Sequence, residues 1–92
     1  MTDVGLKEIA NLKNLTTIDL TATNVTDGGI KELAKLKKLS KLHLFGTQVT
    51  DDGLEELAKL VNLSELELIG TKVTDTGVGK LQKVLPKCGI MH

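Results

Sequence analysis

The strongest constraint on the fold of this chain is a repeat with a fixed period of 24 residues. When the stretch TDDGLEELAKLVNLSELELIGTKV, Thr50 to Val73, is shifted back by one and two periods, it matches TDGGIKELAKLKKLSKLHLFGTQV and TDVGLKEIANLKNLTTIDLTATNV. A shift forward finds a shortened copy, TDTGVGKLQKVLPKCGIMH. Such a period is typical of repeat architectures. We therefore predict one domain, residues 1–92, with repeats 2–25, 26–49 and 50–73 and a truncated capping repeat 74–92.

Each full repeat changes its hydrophobic period halfway along. In the second copy, Ile30, Leu33 and Ala34 have the i, i+3, i+4 spacing of an amphipathic helix. Leu42 and Leu44 then alternate as in a strand. One short helix and one short strand cannot bury their apolar faces alone, so the repeats are expected to stack in register. The predicted fold is an α/β solenoid, a short right-handed superhelix with a parallel sheet on its concave side and helices on its convex side.

A Thr-Asp pair opens every repeat, and a glycine follows the aspartate by two positions. The threonine is expected to cap the helix, and the aspartate to suit the positive end of the helix dipole. The glycine is expected to allow a close approach of backbone where the chain turns into the helix. The pairs are Thr2-Asp3, Thr26-Asp27, Thr50-Asp51 and Thr74-Asp75, and the glycines are Gly5, Gly29, Gly53 and Gly77.

The composition argues against several classes of partner. Twelve Lys and Arg residues balance twelve Asp and Glu residues, so no basic excess favours nucleic acid or an anionic membrane. Phe45 is the single aromatic residue, which argues against a base-stacking surface. The single cysteine, Cys88, excludes an internal disulfide and fits a reducing compartment. No signal-peptide pattern and no apolar run of membrane-spanning length is present, so a cytoplasmic location is predicted.

The strand half of each repeat resembles a known signature. The run LSKLHLFGTQV, Leu39–Val49, is similar to the LxxLxLxxN/CxL signature of leucine-rich repeats, and Leu63–Val73 matches it equally well. Leu15–Val25 fits with Ile18 in one leucine place. The helix half, TDxGLxxLAxL, looks most like the 24-residue repeats of bacterial leucine-rich repeat proteins, which are related to the ribonuclease-inhibitor-like class.

The resemblance implies a rigid surface for protein recognition rather than a reaction. One departure concerns the position under the loop, where many members of the family have asparagine or cysteine. Here threonine occupies this position. Its hydroxyl is expected to satisfy loop backbone groups in a similar ladder, although a hydroxyl makes fewer hydrogen bonds than an amide. The threonines at this position are Thr23, Thr47 and Thr71.

Three columns of side chains are predicted to point outward from the sheet. They are Thr17, Lys41 and Glu65; Asp19, His43 and Glu67; and Thr21, Phe45 and Ile69. Phe45 beside Ile69 is the outward apolar pair, which is either a binding anchor or ordinary surface. His43 would lie between two carboxylates that raise its pKa, which makes it either a pH-sensitive contact or a solvated surface histidine.

The two ends of the chain give different expectations. In the fourth repeat Gln82 replaces a small alanine, Pro86 is expected to stop the helix, and Cys88 and Ile90 are expected to point inward in a last strand. No cap precedes the first repeat, which is expected to expose leucines and an unpaired strand edge. Either the chain is the tail of a longer solenoid, or this end pairs with another molecule. The residues predicted for self-association are Val4, Leu6 and Ile9.

No set of residues suggests catalysis or metal binding. Cys88 is predicted to be buried, His92 is terminal, and His43 is expected two strands away from Cys88. Two histidines and one cysteine are too few and too scattered for a zinc site, and no phosphate-binding glycine motif is present. We therefore predict no enzyme activity and no cofactor.

The predicted function is a non-catalytic protein–protein interaction module that binds its partner through the concave sheet. Two alternatives remain open. One is a structural repeat protein that forms homo-oligomers through its N-terminal end, and the other is the recognition tail of a larger multidomain protein. Neither nucleic acid nor a membrane is predicted as a partner.

Overall fold

The computed structural model describes residues 2–92, in which four helices alternate with four strands. The elements are α1 Asp3–Ile9, β1 Thr17–Asp19, α2 Asp27–Leu33, β2 Lys41–His43, α3 Asp51–Leu57, β3 Glu65–Glu67, α4 Asp75–Val84 and β4 Gly89–Met91. Every helix begins at the aspartate of a Thr-Asp pair, and every strand begins one repeat length after the previous strand. The prediction of one short helix and one short strand per repeat is confirmed.

The strands form one parallel sheet in the order β1-β2-β3-β4. Thr17 pairs with Lys41, Lys41 with Glu65, and Glu65 with Gly89, so neighbouring strands are offset by one full repeat. The helices cover the other side of the sheet, and consecutive helices pack on one another. The predicted α/β solenoid is therefore confirmed, and none of the described helices is long and apolar enough to cross a membrane.

Leucines from both halves of the repeats form one continuous core. The inward strand residues Leu42 and Leu66 are fully buried, and so are Ile30 and Leu33 on α2. Burial of each such side chain contributes about 1.5–3 kcal/mol relative to exposure. Because much of this burial is provided by the adjacent repeat, the core becomes continuous only when the repeats stack.

The predicted helix caps are confirmed in three of the four repeats. The hydroxyls of Thr26 and Thr50 accept hydrogen bonds from Gly28 N and Asp52 N at 3.3 Å, and Thr74 accepts from Gly77 N at 3.1 Å. Thr2 is the exception, since its side chain accepts no capping bond among the described residues. These bonds satisfy amide groups that have no partner within the helix.

The aspartates of the first three repeats have a role that the sequence did not reveal. Asp27 reaches into the next repeat. Its Oδ1 accepts a hydrogen bond from Thr50 N at 2.8 Å, and its Oδ2 accepts one from Thr50 Oγ1 at 2.5 Å. Asp3 binds Thr26, and Asp51 binds Thr74, through the same two atoms. We call each such contact the Asp–Thr junction. It ties consecutive helix starts together and adds to the predicted interaction with the helix dipole.

The junction also explains the recurring glycine and corrects its predicted role. A Cβ atom at Gly53 would lie 2.5 Å from Asp27 Oδ1, and one at Gly77 would lie 2.2 Å from Asp51 Oδ1. The glycine therefore makes room for a carboxylate from the preceding repeat, whereas we had expected a close approach of backbone. The sequence element Thr-Asp-x-Gly is one interlocking unit: the threonine and the glycine receive the aspartate of the repeat before.

The threonines under the loops satisfy backbone groups, as predicted, but within their own repeat. Thr23, Thr47 and Thr71 each donate to the carbonyl oxygen three residues earlier, at 2.7, 2.9 and 2.7 Å. A different hydroxyl position links the repeats: Ser64 Oγ donates to Ser40 O at 3.1 Å. The hydroxyl bonds that link consecutive repeats therefore lie at the entrance to the strands.

The fourth repeat differs from the others in its longer helix. Gln82 Nε2 donates to Leu85 O and to Cys88 O, both at 2.9 Å, so its amide closes the turn between α4 and β4. Cys88 is buried and Ile90 is half-buried, as predicted. Gln82, which replaces the alanine of the other repeats, therefore has a bonding role in this turn.

Candidate functional site

The outer face of the sheet carries the first two predicted columns. The parallel pairing places Thr17, Lys41 and Glu65 side by side, and Asp19, His43 and Glu67 side by side. All six are exposed or half-buried, whereas the strand residues between them, Ile18, Leu42 and Leu66, are buried. The predicted register is therefore confirmed, and we call this surface the sheet face.

The third column lies just beyond the strands, and we include it in the sheet face. The backbone ladder continues there, because Ala22 N donates to Phe45 O at 2.7 Å and Gly46 N donates to Ile69 O at 3.0 Å. This ladder holds Phe45 and Ile69 at neighbouring positions, with 43% and 41% of their surfaces exposed. Thr21, the remaining member, is exposed.

His43 has a different main partner from the one predicted. Its Nε2 lies 2.6 Å from Glu65 Oε2, on the neighbouring strand but diagonally placed. This hydrogen bond is the main cause that raises the pKa of His43, with smaller contributions from the charges of Asp19 and Glu67, while desolvation opposes it. The direction of the pKa shift agrees with the prediction, but the laterally paired carboxylates are secondary. Reciprocally, the pKa of Glu65 is lowered, chiefly by the bond to His43.

Asp19 has a local hydrogen-bond partner, Thr21. Its Oδ1 accepts Thr21 N at 3.0 Å and Thr21 Oγ1 at 2.6 Å, and these bonds lower the pKa of Asp19. By contrast, the side chains of Lys41 and Glu67 have no hydrogen bond or ion pair within residues 2–92. The sheet face therefore combines two internally paired acids with one acid and one lysine that are free to contact another molecule.

Met91 is a member of this surface that the sequence reasoning missed. It pairs with Glu67 across β3 and β4, so it extends the second column, and 45% of its surface is exposed. The predicted inward direction of Ile90 would have placed Met91 outward by strand alternation. Phe45, Ile69 and Met91 together are the exposed apolar residues of the sheet face, and we call them the apolar patch.

Comparison with known proteins identifies the repeat family. The family model described as a leucine-rich repeat matches residues 11–34 and 35–58, which together make up just over half of the chain. The chain belongs to the leucine-rich repeat family. It is also similar to a solved structure of a leucine-rich repeat protein from Leptospira interrogans, with 25% sequence identity and a TM-score of 0.65.

The leucine-rich repeat structure from Leptospira is much longer than this chain. The similarity covers 94% of this chain but 27% of that one, so the chain spans about a quarter of its relative's length. No curated protein matches this chain.

The first leucine-rich repeat exposes only part of the predicted self-association surface. Val4 is 74% exposed and Ile9 is half-buried, but Leu6 is completely buried, so the expectation of an exposed Leu6 is wrong. The reason is the glycine at position 29. The Leu6 Cδ1 atom lies 2.7 Å from where a Gly29 Cβ would be, so this side chain packs into the second repeat.

The structure shows the surroundings of the cysteine and of the terminal histidine. Cys88 is 4% exposed, and burial raises the pKa of its thiol, which favours the unreactive protonated form. His92 Nδ1 lies 3.7 Å from Asp75 Oδ1 at the surface. Within residues 2–92, no three His, Cys, Asp or Glu side chains are grouped so that they could hold a metal ion.

The helix side has a groove of about 240 Å³ between α3 and α4. Leu54, Ala58 and Leu81 contribute apolar surface to it, and Glu55 and Lys80 also line it. Its three charged lining residues, Asp51, Glu55 and Lys80, include both signs, and Asp51 is already bonded to Thr74, so the groove specifies a ligand less clearly than the sheet face does. The sheet face is therefore the stronger candidate site of this leucine-rich repeat chain.

Proposed function

We propose that this leucine-rich repeat chain is a non-catalytic protein-binding module, and that its partner contacts the sheet face. The observation that supports the proposal is the apolar patch of Phe45, Ile69 and Met91, which lies beside charged side chains on a hydrogen-bonded sheet. Exposed apolar residues rimmed by polar ones are typical of interaction sites. Leucine-rich repeats generally mediate protein–protein interactions, which agrees with this proposal.

The rigidity of the sheet face supports the same function. Each strand of β1 to β3 is paired with the next strand, and the ladder extends to the backbone of Phe45 and Ile69. A surface that is already ordered loses little conformational entropy when it binds. The apolar patch can therefore bind a partner without first folding a loop.

The test is an unbiased selection of binders from a displayed library of random peptides. The selected binders are then measured against the chain and against Phe45→Ala. Because a central aromatic anchor often contributes about 2 kcal/mol or more, we expect affinity to fall by about thirtyfold or more. Leu12→Ala is the matched control, since Leu12 is 55% exposed and lies in the turn between α1 and β1, outside the columns of the sheet face.

The proposal fails if the selected binders tolerate Phe45→Ala as well as they tolerate Leu12→Ala. Circular dichroism of both variants checks that the fold is intact. Phe45 lies outside the buried core, so we expect both variants to fold like the parent chain.

A second candidate function, self-association, is favoured by the Asp–Thr junction. Among the described residues, Thr2 receives no aspartate from another helix, and Asp75 binds no following threonine, with its side chain fully exposed. A second copy stacked on the first could complete the junction between Asp75 and Thr2. Val4, which is exposed beside Thr2, and the half-buried Ile9 would then lie near the contact.

Light scattering over a range of protein concentrations tests self-association. We expect a mass that rises with concentration, and we expect Val4→Glu and Asp75→Ala each to reduce it. Leu6 is unsuitable for this test, since a charge at a buried position would unfold the first repeat. A mass of one chain at every concentration would exclude this candidate.

A further inference from the structure

The sheet face is acidic, although the chain as a whole has no net charge. Its outward columns contain Asp19, Glu65 and Glu67 against one lysine, Lys41, and the histidine is charged only when protonated. The surplus of acid on this face is therefore balanced by lysines elsewhere on the molecule. A partner with positive charge is attracted to such a surface.

Within this acidic surface, Glu67 is the carboxylate that is available to a partner. Asp19 accepts two hydrogen bonds from Thr21, and Glu65 is bonded to His43. Glu67 has no such partner among residues 2–92, although it is half-buried between the neighbouring strands. If an apolar partner covered it, the carboxylate would lose water without gaining a compensating contact.

The apolar patch lies next to this carboxylate. Met91 is paired directly with Glu67, and Ile69 follows Glu67 by two residues on the same face of the chain. Phe45 lies beside Ile69, just beyond the end of β2. One partner segment of a few residues can therefore reach both the apolar patch and the carboxylate.

We infer that the partner segment carries an apolar side chain next to a lysine or arginine. The apolar side chain packs on Phe45 and Ile69, and the cation pairs with Glu67. This inference rests on the proposed function and specifies the chemistry of the partner. It is testable with two synthetic peptides of equal length, one alternating leucine with lysine and the other alternating leucine with glutamate.

The peptides are titrated into the isotopically labelled chain, and the amide shifts are followed by NMR. We expect the leucine–lysine peptide to change the amide chemical shifts of Glu67, Ile69 and Phe45. The leucine–glutamate peptide should leave these shifts unchanged. Glu67→Gln should weaken the binding of the leucine–lysine peptide by about threefold to tenfold, since the substitution removes one partly buried charge pair. The matched control is Glu55→Gln, which removes an exposed carboxylate from α3 on the helix side.

The inference is overturned if both peptides bind equally, if neither shifts the sheet-face amides, or if Glu67→Gln and Glu55→Gln have equal effects. These results leave the proposed function standing as long as unbiased binders still depend on Phe45. If unbiased binders do not depend on Phe45, the proposed function itself fails. The two failures are therefore distinguishable.

Discussion

Ala22 stands at a position with positive φ where the next two repeats have glycine. Gly46 and Gly70 have φ angles of 73° and 77°, and Ala22 occupies the equivalent place with a φ of 58°. An L-residue in this left-handed region costs about 1–2 kcal/mol, whereas glycine adopts it freely. The first repeat therefore carries backbone strain that the second and third repeats avoid.

Ala22→Gly is expected to stabilise the chain. Relief of the strain is partly offset by the greater entropy of glycine in the unfolded chain, so the net gain should be about 0.5–1 kcal/mol. The reverse change, Gly46→Ala, should destabilise by about 1 kcal/mol, because the added Cβ meets no atom closer than 3.8 Å and only the backbone strain changes. Urea unfolding measures both. Equal stability of Ala22→Gly and the parent chain would contradict the strain at position 22.

His43 gives a prediction about pH. The bond to Glu65 is the main cause that raises the pKa of His43 in the folded chain, so protonated His43 is favoured by folding. This contribution to stability is complete below the ordinary histidine pKa of about 6.5 and is lost as the pH rises through the folded pKa. Glu65→Gln should therefore destabilise the chain more in mildly acidic than in alkaline solution.

An NMR titration of the His43 ring measures directly which carboxylate raises its pKa. We expect Glu65→Gln to lower the pKa of His43 clearly, and Glu67→Gln to lower it less, because the Glu67 charge is the smallest of the causes that raise it. If Glu67→Gln had the larger effect, the lateral neighbours would control His43, as the sequence had suggested.

At the scale of the elements, the helices are joined by the Asp–Thr junctions as well as by the core. Each junction places a carboxylate of one helix start on the backbone and the hydroxyl of the next cap. The helices α1 to α3 have seven residues each, too short to be stable alone in water. Their starting points are therefore fixed by contacts with neighbouring repeats.

Asp27→Ala tests the junction, with Asp75→Ala as the matched control. Both changes remove an aspartate from the first turn of a helix, but only Asp27 bonds a following threonine. Loss of the charged hydrogen bonds to Thr50 should cost about 1.5–3 kcal/mol, and Asp75→Ala should stay within about 1 kcal/mol of the parent chain. Chemical denaturation of the two variants provides the measurement, and equal losses would mean that Asp27 acts only on its own helix.

At the scale of the whole molecule, stability is distributed along the stack. The second and third repeats have a neighbour on each side, whereas β1 and β4 are the two edge strands of the described sheet. In a stack of this kind, stability is roughly a sum of contacts between nearest neighbours. The outer repeats are therefore expected to open before the central ones.

Hydrogen exchange should show this gradient. The amides of Leu20, Leu44 and Leu68 all donate to the next strand, at 2.8, 2.9 and 2.6 Å, so their local bonding is similar. We expect the slowest exchange at Leu44, because opening it requires both of its neighbours to separate. Faster exchange at Leu44 than at Leu20 would contradict nearest-neighbour stacking.

The sequence by itself determined the solenoid of this leucine-rich repeat protein. Its period places one helix and one strand in each repeat, and strand alternation then decides which side chains face outward, as at His43 and Phe45. These features depend on spacing along the chain, so they can be read from one repeat and copied to the others.

Only the tertiary structure decided which side chains meet across repeats. Asp27 contacts Thr50, His43 contacts Glu65 rather than a lateral neighbour, and Leu6 is buried over Gly29. Each of these depends on the direction of a side chain between two stacked repeats, where several partners lie at similar distances along the chain. Spacing in the sequence gives the position of each residue, but only packing selects the partner, since the choice follows from the space and hydrogen-bonding groups that the adjacent repeat provides.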